Sequence, residues 1–115
     1  MNITLAWHDA VPVLTLAGRF DGYGATEFDQ QVEPLVHKAA WWVLDLGSLQ
    51  YLSSMGLRSL IRAEKRLRQR HGGVVLVGVT TLIRDVLEMA GLLDHFRAAE
   101  SVDAAVELVL SLIHI

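Results

Sequence analysis

The chain has 115 residues, of which 52% are hydrophobic and 20% are charged, so it can bury the core of one folded domain. Its formal net charge of −3 offers no general attraction to nucleic acid or to an anionic membrane surface. The absence of cysteine excludes disulfides, thiolate metal sites and a cysteine nucleophile.

The two ends of the chain bear on its location and extent. Residues 1–9 lack the basic and apolar segments of a secretory signal, and no run elsewhere reaches the roughly 18 apolar residues of a membrane span. We expect a single cytoplasmic domain over residues 1–115, without membrane insertion. Residues 110–115 match a translation of the mosaic-end adapter used in transposase-based DNA sequencing, and we expect this tail to be non-native.

Two short β-rich runs open the chain. Residues 3–7 and 11–16 are separated by a short connection, which predicts an antiparallel hairpin, and the chain is expected to turn at Gly18. A helix capped by Gly24 is predicted next, because apolar residues recur at the spacing of one buried helix face. Pro34 is expected to bend or shorten this helix, since proline has no backbone N–H to donate. The apolar residues at helical spacing are Ala25, Phe28, Val32, Leu35 and Val36.

A buried strand and a long amphipathic helix follow. Residues 42–46 form an apolar run without alternation, which predicts a strand buried on both faces, and Asp45 within it is expected to hydrogen-bond a neighbouring loop. The helix is predicted to begin at Ser54 and to end at Gly72 and Gly73, where glycine can adopt a left-handed conformation. Its predicted buried residues are Leu57, Leu60, Ile61 and Leu67. Its opposite face carries Arg58, Arg62, Lys65, Arg66 and Gln69.

A second buried strand is predicted at residues 74–79, before a third helix. Thr80 or Thr81 is expected to cap this helix, which runs through Met89 and stops at Gly91. Its predicted inward-facing residues are Leu82, Ile83, Val86, Leu87 and Met89.

The chain closes with a short strand near residues 96–98 and a last helix capped by Ser101. The residues of this helix expected to face inward are Val102, Ala105, Val106 and Val109. A hairpin followed by alternating helices and strands predicts the α/β class. We therefore expect a mixed sheet, antiparallel in the N-terminal hairpin and parallel afterwards, packed with about four α-helices.

The junction between the strand at residues 42–46 and the following helix carries two hydroxyls, on Ser53 and Ser54. The first backbone N–H groups of a helix lack internal partners and lie at its positive end, so this position accepts an anion or a phosphorylated side chain. Plain capping by serine is the simpler alternative, and spacing alone favours it about two to one.

Most catalytic and ligand-binding chemistries lack their residues in this sequence. The five histidines are scattered and no thiolate accompanies them, so we expect no metal and no cofactor. A serine hydrolase would need Gly-x-Ser-x-Gly and a base, and the segment 53–56 lacks the first glycine. The basic helix face has no interleaved aromatic residues, which favours a solvated face about four to one over RNA or phospholipid binding. We expect no catalytic residues and no direct nucleic-acid binding.

Four segments, at residues 16–21, 43–60, 72–78 and 87–92, resemble in order the motifs of the STAS domain in bacterial anti-sigma factor antagonists. The resemblance covers nearly the whole chain to about Leu108 and implies a STAS-like form of the α/β fold. In that family an anti-sigma factor serine kinase phosphorylates a serine at a helix start, and a PP2C-type phosphatase removes the phosphate. The unmodified antagonist binds the kinase and so releases a sigma factor. The resemblance implies a binding module and not an enzyme.

Carried over by position, the phosphorylated serine is Ser54, and Asp21 is expected to lie near it. The family often has aspartate directly before that serine, whereas this chain has Ser53, which leaves Ser53 as an alternative acceptor. The residues implied to form the partner-binding rim are Asp21, Gly22, Ser53, Met55, Gly56 and Arg58. A STAS subunit that is never phosphorylated, similar to the small cytoplasmic component of a lipid-transport ABC complex, is the alternative.

Overall fold

The computed structural model describes residues 1–113 and contains one five-stranded sheet with four α-helices. The strands are β1 Asn2–His8, β2 Val11–Phe20, β3 Trp41–Leu52, β4 Gly73–Val77 and β5 Arg97–Ala99. The helices are α1 Gly22–Val32, α2 Ser54–Arg68, α3 Thr81–Met89 and α4 Val102–Ile113, with a 3₁₀ turn at Pro34–His37. Of the tail expected to be non-native, residues 110–113 end α4, whereas His114 and Ile115 lie outside the described residues.

The strands lie in the order β1-β2-β3-β4-β5, with β1 antiparallel to β2 and every other pair parallel. This topology confirms the predicted mixed α/β sheet. One face of the sheet packs on α1, α2 and α3, and the other packs on α4. Strand β3 lies between the two layers, because Leu44 belongs to the first core and Val43 to the second, as the unalternated apolar run predicted.

Two strands run further than their sequence patterns indicated. We expected a turn at Gly18 and the end of the central strand at Leu46, but β2 continues to Phe20 and β3 to Leu52. The β2–β3 register shifts on both sides of Ala17 and Gly18, so bulges absorb the irregular residues and pairing resumes beyond them. Gly18 has φ +93°, a conformation that glycine adopts without strain.

Asp45 lies beside the irregular part of β3. Its Oδ1 accepts a hydrogen bond from the N–H of Gly47 at 3.0 Å, within its own strand and not from a neighbouring loop as expected. A short polar side chain can pair with a backbone N–H two residues on, so the carboxylate satisfies a donor locally.

The predicted cap of α1 at Gly24 was wrong. The helix begins at Gly22, and Asp21 caps it by accepting a hydrogen bond from the N–H of Gly24 at 3.0 Å. Glycine at position 24 could not serve in this way, because it has no side-chain acceptor. The predicted effect of Pro34 is confirmed, since α1 ends at Val32 and a 3₁₀ turn begins at the proline.

The end of α2 uses a different residue from the one predicted. His71 has φ +63° and takes the left-handed position, while the N–H of Gly72 donates to the carbonyl of Leu67 at 2.8 Å. Gly72 is required for another reason, because a Cβ there would overlap the backbone carbonyl of Ala40. Packing against the start of β3 therefore decides this position.

Helix α3 keeps its predicted start and stop. Thr80 caps it, and Gly91 follows it with φ +72°. Leu82 and Met89 were expected to face inward but are exposed, because the buried stripe of this short helix consists of Ile83 and Leu87.

The remaining boundaries differ little from expectation. β4 ends at Val77, two residues early, and β5 lies one residue later than predicted. Ser101 caps α4 as predicted, since its Oγ accepts from the N–H of Ala104 at 3.1 Å. Within residues 1–113, no helix combines the length and the apolar character that crossing a bilayer requires.

Candidate functional site

The candidate site lies where the parallel strands β2 and β3 end together. Phe20 and Leu52, the last residues of the two strands, are paired in register. Each strand is followed at once by a helix, α1 after Asp21 and α2 after Ser53. The N-termini of two helices therefore lie together at the C-terminal ends of β2 and β3, where unpaired N–H groups and the helix dipoles create positive potential.

Ser53 is the N-cap of α2, and its hydroxyl is fully engaged. Its Oγ accepts from the N–H of Gly56 at 3.1 Å and donates to the carbonyl oxygen of Phe20 at 3.0 Å. The backbone N–H of Ser53 donates to the same carbonyl at 2.9 Å. The half-buried side chain thus ties the start of α2 to the end of β2.

Ser54 is the first residue of α2, and its environment is the opposite. The residue is exposed, and within the described part of the chain its hydroxyl has no hydrogen-bond partner. The first turn of α2 contains no acidic side chain. Ser54 therefore presents a free hydroxyl at the positive end of a helix.

Asp21 supplies the fixed negative charge of the site. Its pKa lies below the ordinary value, chiefly because the carboxylate accepts the hydrogen bond from Gly24, and Arg19 adds to this effect from 4.0 Å. The carboxylate is therefore ionised at neutral pH. The guanidinium of Arg19 also lies 4.2 Å from the centroid of the Tyr51 ring, a cation–π contact at the ends of β2 and β3.

Close packing around Gly22 and Gly56 shapes the surface beside Ser54. A Cβ on Gly56 would come within 2.5 Å of the Phe20 carbonyl oxygen, so only glycine lets α2 approach β2 this closely. A Cβ on Gly22 would lie 3.1 Å from the sulfur of Met55, which shows that Met55 reaches across to the start of α1. Met55 remains 53% exposed and forms an apolar contact surface next to the two helix ends.

Arg58 lines a shallow groove that runs from Met55 between α1 and α2. Further along the exposed side of this interface, Arg62 pairs with Asp29 at 2.7 Å. Arg66 binds Glu33 through two hydrogen bonds of 2.7 and 3.2 Å, and this contact lowers the pKa of Glu33 and raises that of Arg66.

The basic face predicted on α2 is therefore partly neutralised. Two of its four cationic residues are paired, Arg62 with Asp29 on α1 and Arg66 with Glu33 just after it, while Arg58 and Lys65 form no ion pair within residues 1–113. This arrangement favours the interpretation of the basic face as a solvated helix surface over its interpretation as a nucleic-acid binding surface. Among the same residues, no group of three or more His, Asp or Glu side chains could hold a metal ion.

The structure brings most of the predicted site residues together at the C-terminal ends of β2 and β3. Asp21 and Gly22 start one helix, the segment from Ser53 to Gly56 starts the other, and Arg58 follows one turn along α2. Sequence reasoning missed Phe20, whose carbonyl oxygen joins the two helix starts. It also missed Tyr23, which is 85% exposed in the first turn of α1, although an aromatic residue directly after Asp21 and Gly22 was an available signal.

The chain is similar to known proteins over most of its length. Residues 3–109 match a family model described as Mlab, STAS domain. BtrV of Bordetella bronchiseptica, provisionally named an anti-sigma factor antagonist, is 35% identical over 106 residues, which is 91% of each chain. The crystal structure of an anti-sigma factor antagonist from Mycobacterium paratuberculosis shares 25% identity at a TM-score of 0.83, over 94% of this chain and 92% of that one.

The fold is also that of SpoIIAA, an anti-sigma factor antagonist and Bacillus cell fate determinant. Its unphosphorylated structure matches at a TM-score of 0.84 and 16% identity, over 96% of this chain and 97% of that one. Its phosphorylated structure matches at 0.77 and 16%, over 94% and 99% respectively. At this level of identity the likeness establishes the fold alone.

Proposed function

The chain belongs to the STAS domain family, and we propose that it is an anti-sigma factor antagonist whose binding is switched by phosphorylation of Ser54. In the unmodified state it binds an anti-sigma factor serine kinase and so releases a sigma factor. Phosphorylation by that kinase ends the binding, and a PP2C-type phosphatase restores it. The protein is then a regulatory binding module and not an enzyme.

The contrast between the two serines supports Ser54 as the phosphoacceptor. Ser53 uses its hydroxyl as both donor and acceptor, so phosphorylating it would remove the N-cap and the link to Phe20. Ser54 is exposed and has no such bonds within residues 1–113. A kinase can reach its hydroxyl without breaking a native contact. This exposed hydroxyl beside a capped helix start is the observation on which the proposal rests.

The proposed switch is a local change of charge. A phosphate adds roughly −1.5 to −2 charges and three acceptor oxygens. At the N-terminus of α2 the helix dipole tolerates this charge, with a favourable contribution of about 0.3 to 2 kcal/mol. The folded domain therefore survives modification. The cost falls on the complex, because the new charge adds to that of Asp21 in a surface that a partner must desolvate.

The proposed docking rim surrounds Ser54 on both helix starts. Met55 offers exposed apolar surface, Gly22 leaves room for its side chain, and Gly56 lets the start of α2 pack on Phe20. Asp21 and Arg58 add one charge of each sign, which would fix the orientation of the partner. Ser53 positions this surface through its bonds to Gly56 and Phe20. The members of the rim are Asp21, Gly22, Ser53, Met55, Gly56 and Arg58.

Phosphosite mapping tests the proposal directly. The protein is incubated with ATP and the anti-sigma factor kinase encoded nearest to its gene, followed by intact mass measurement and peptide mapping. We expect one phosphate in the wild type and in Ser53→Ala, and none in Ser54→Ala. A phosphate that persists in Ser54→Ala would contradict the assignment, as would a wild type that stays unmodified while the same kinase phosphorylates its own antagonist.

A docking subunit that is never phosphorylated is the second candidate, because the matching family model carries the description Mlab. In that case the same site would bind the ATPase of a lipid-transport ABC complex. Co-purification with such an ATPase, together with no complex with an anti-sigma factor kinase, would favour it. Ser54→Asp separates the two candidates further, since only the switch requires that this variant lose its partner.

A further inference from the structure

Strand β1 is an exposed edge strand of the sheet. It pairs with β2 on one side only, so alternate N–H and C=O groups along Asn2–His8 point away from the sheet. The opposite edge, β5, has only three residues and begins with Arg97, and both features discourage the addition of a strand. β1 has seven residues and contains no acidic residue, lysine, arginine or proline.

An exposed apolar strip accompanies this edge. The register places Ile3, Leu5 and Trp7 opposite Leu16, Leu14 and Pro12, on the face of the sheet that α1 to α3 cover. Ile3 packs against the core, whereas Leu5 is 47% exposed and Trp7 is 48% exposed. The apolar layer therefore continues beyond the helices to the edge of the molecule.

We propose that β1 pairs with β1 of a second copy of this chain, antiparallel about a two-fold axis at Leu5. In this register all seven residues of each strand overlap. Leu5 faces Leu5 of the second copy, Ile3 faces Trp7, and Asn2 faces His8. Thr4 faces Ala6. The large apolar residues therefore meet one another, which is the self-complementarity of a two-fold interface. No like charges oppose each other, although each copy carries a net charge of −3.

The size of the interface predicts a transient dimer. A two-fold axis normal to the sheet keeps α1 of both copies on the same face, and their β2 strands lie three strand spacings, or about 14 Å, apart. Because α1 packs on β2 and a helix is about 10 Å across, α1 of each copy would flank Leu5 and Trp7 and reduce their exposure to solvent. One strand per copy still buries less than the ~800 Å² per partner of a standard interface, so we expect a Kd on the order of 10 µM or weaker.

Sedimentation velocity from about 5 to 500 µM tests the dimer across this range. We expect the wild type to shift from monomer to dimer, and Leu5→Lys and Leu5→Glu each to weaken dimerisation at least tenfold, because like charges would meet at the two-fold axis. An equimolar mixture of the two variants should restore the dimer, since lysine then faces glutamate. Leu82→Lys is the matched control, because Leu82 is 45% exposed on α3, and it should dimerise as the wild type does.

The mixture separates loss of pairing from loss of folding, because a misfolded variant would not be rescued. A wild type that stays monomeric to about 500 µM would overturn the proposal. So would unaltered dimerisation of Leu5→Lys, failure of the folded variants to associate when mixed, or loss of the dimer in Leu82→Lys. The pairing does not depend on the proposed function, since the antiparallel strands place the two Ser54 sites at opposite ends of the joined sheet.

Discussion

Replacing Ser53 with alanine should destabilise the domain, whereas replacing Ser54 should not. Loss of an N-cap serine costs typically about 1 kcal/mol. The alanine variant also loses the hydroxyl's bond to the Phe20 carbonyl, worth about 0.5 to 1 kcal/mol net. That carbonyl is not left unpaired, because the backbone N–H of Ser53 still donates to it. We therefore expect the free energy of unfolding to fall by about 1 to 2 kcal/mol in Ser53→Ala.

Urea unfolding followed by tryptophan fluorescence provides the measurement, because Trp42 is fully buried and reports loss of the core. With a slope of about 1 to 3 kcal/mol/M, the midpoint of Ser53→Ala should fall by roughly 1 M. Ser54→Ala should stay within about 0.5 kcal/mol of the wild type, as exposed substitutions usually do. Ser53→Thr, which keeps the hydroxyl, is the matched control and should recover most of the loss.

The reasoning would be refuted if both alanine variants unfolded at the same midpoint, or if Ser54→Ala were the less stable of the two. Equal midpoints would mean that the hydroxyl of Ser53 contributes no more than that of Ser54, and a less stable Ser54→Ala would mean that Ser54 holds the start of α2. The separate assignment of a structural and a modifiable serine would then fail, even if phosphorylation did occur.

Three further predictions concern the partner, acid stability and backbone packing. Ser54→Asp should bind the anti-sigma factor kinase at least tenfold more weakly than the wild type in calorimetry, because the added charge opposes docking. Its urea midpoint should stay similar, because a negative charge is favourable at a helix N-terminus. Equal affinity would count against the switch. The folded pKa of Glu33 is lowered from 4.5 by Arg66, so the stability from this pair is present above pH 4.5 and is lost as the pH falls through the folded pKa. Glu33→Gln should accordingly be less stable than the wild type at pH 7, and urea midpoints measured at successively lower pH should show this difference shrinking below pH 4.5. Gly72→Ala should lower the free energy of unfolding by about 1 to 3 kcal/mol or more, because its Cβ would overlap the Ala40 carbonyl; an unchanged urea midpoint would contradict the close packing there.

Much of the fold could be predicted because element type depends on short-range patterns. The apolar run at residues 42–46 indicated a strand between two layers, and both layers are present. The caps at Thr80 and Ser101 also followed from local sequence, since each bonds an N–H three residues ahead. The mixed topology followed from the order of these elements along the chain.

The strand ends could not be predicted in the same way. β2 runs past Gly18 because β3 lies beside it and the bulges keep the two strands paired, a condition that neither segment contains by itself. The left-handed residue after α2 is His71 and not glycine, and the glycine at position 72 is required instead by close packing on Ala40. Contacts with distant segments overrode the local preference in both cases.

For the candidate site, the sequence by itself determined that two hydroxyls stand at a helix start and that an acidic residue precedes another helix. The tertiary structure decided which hydroxyl is engaged, because the bond from Ser53 to Phe20 spans 33 residues. It decided in the same way that Arg62 is paired, since Asp29 is also 33 residues away. Local spacing reports which residues share a face, whereas a donor's partner across the fold is known only once β2 and β3 lie side by side.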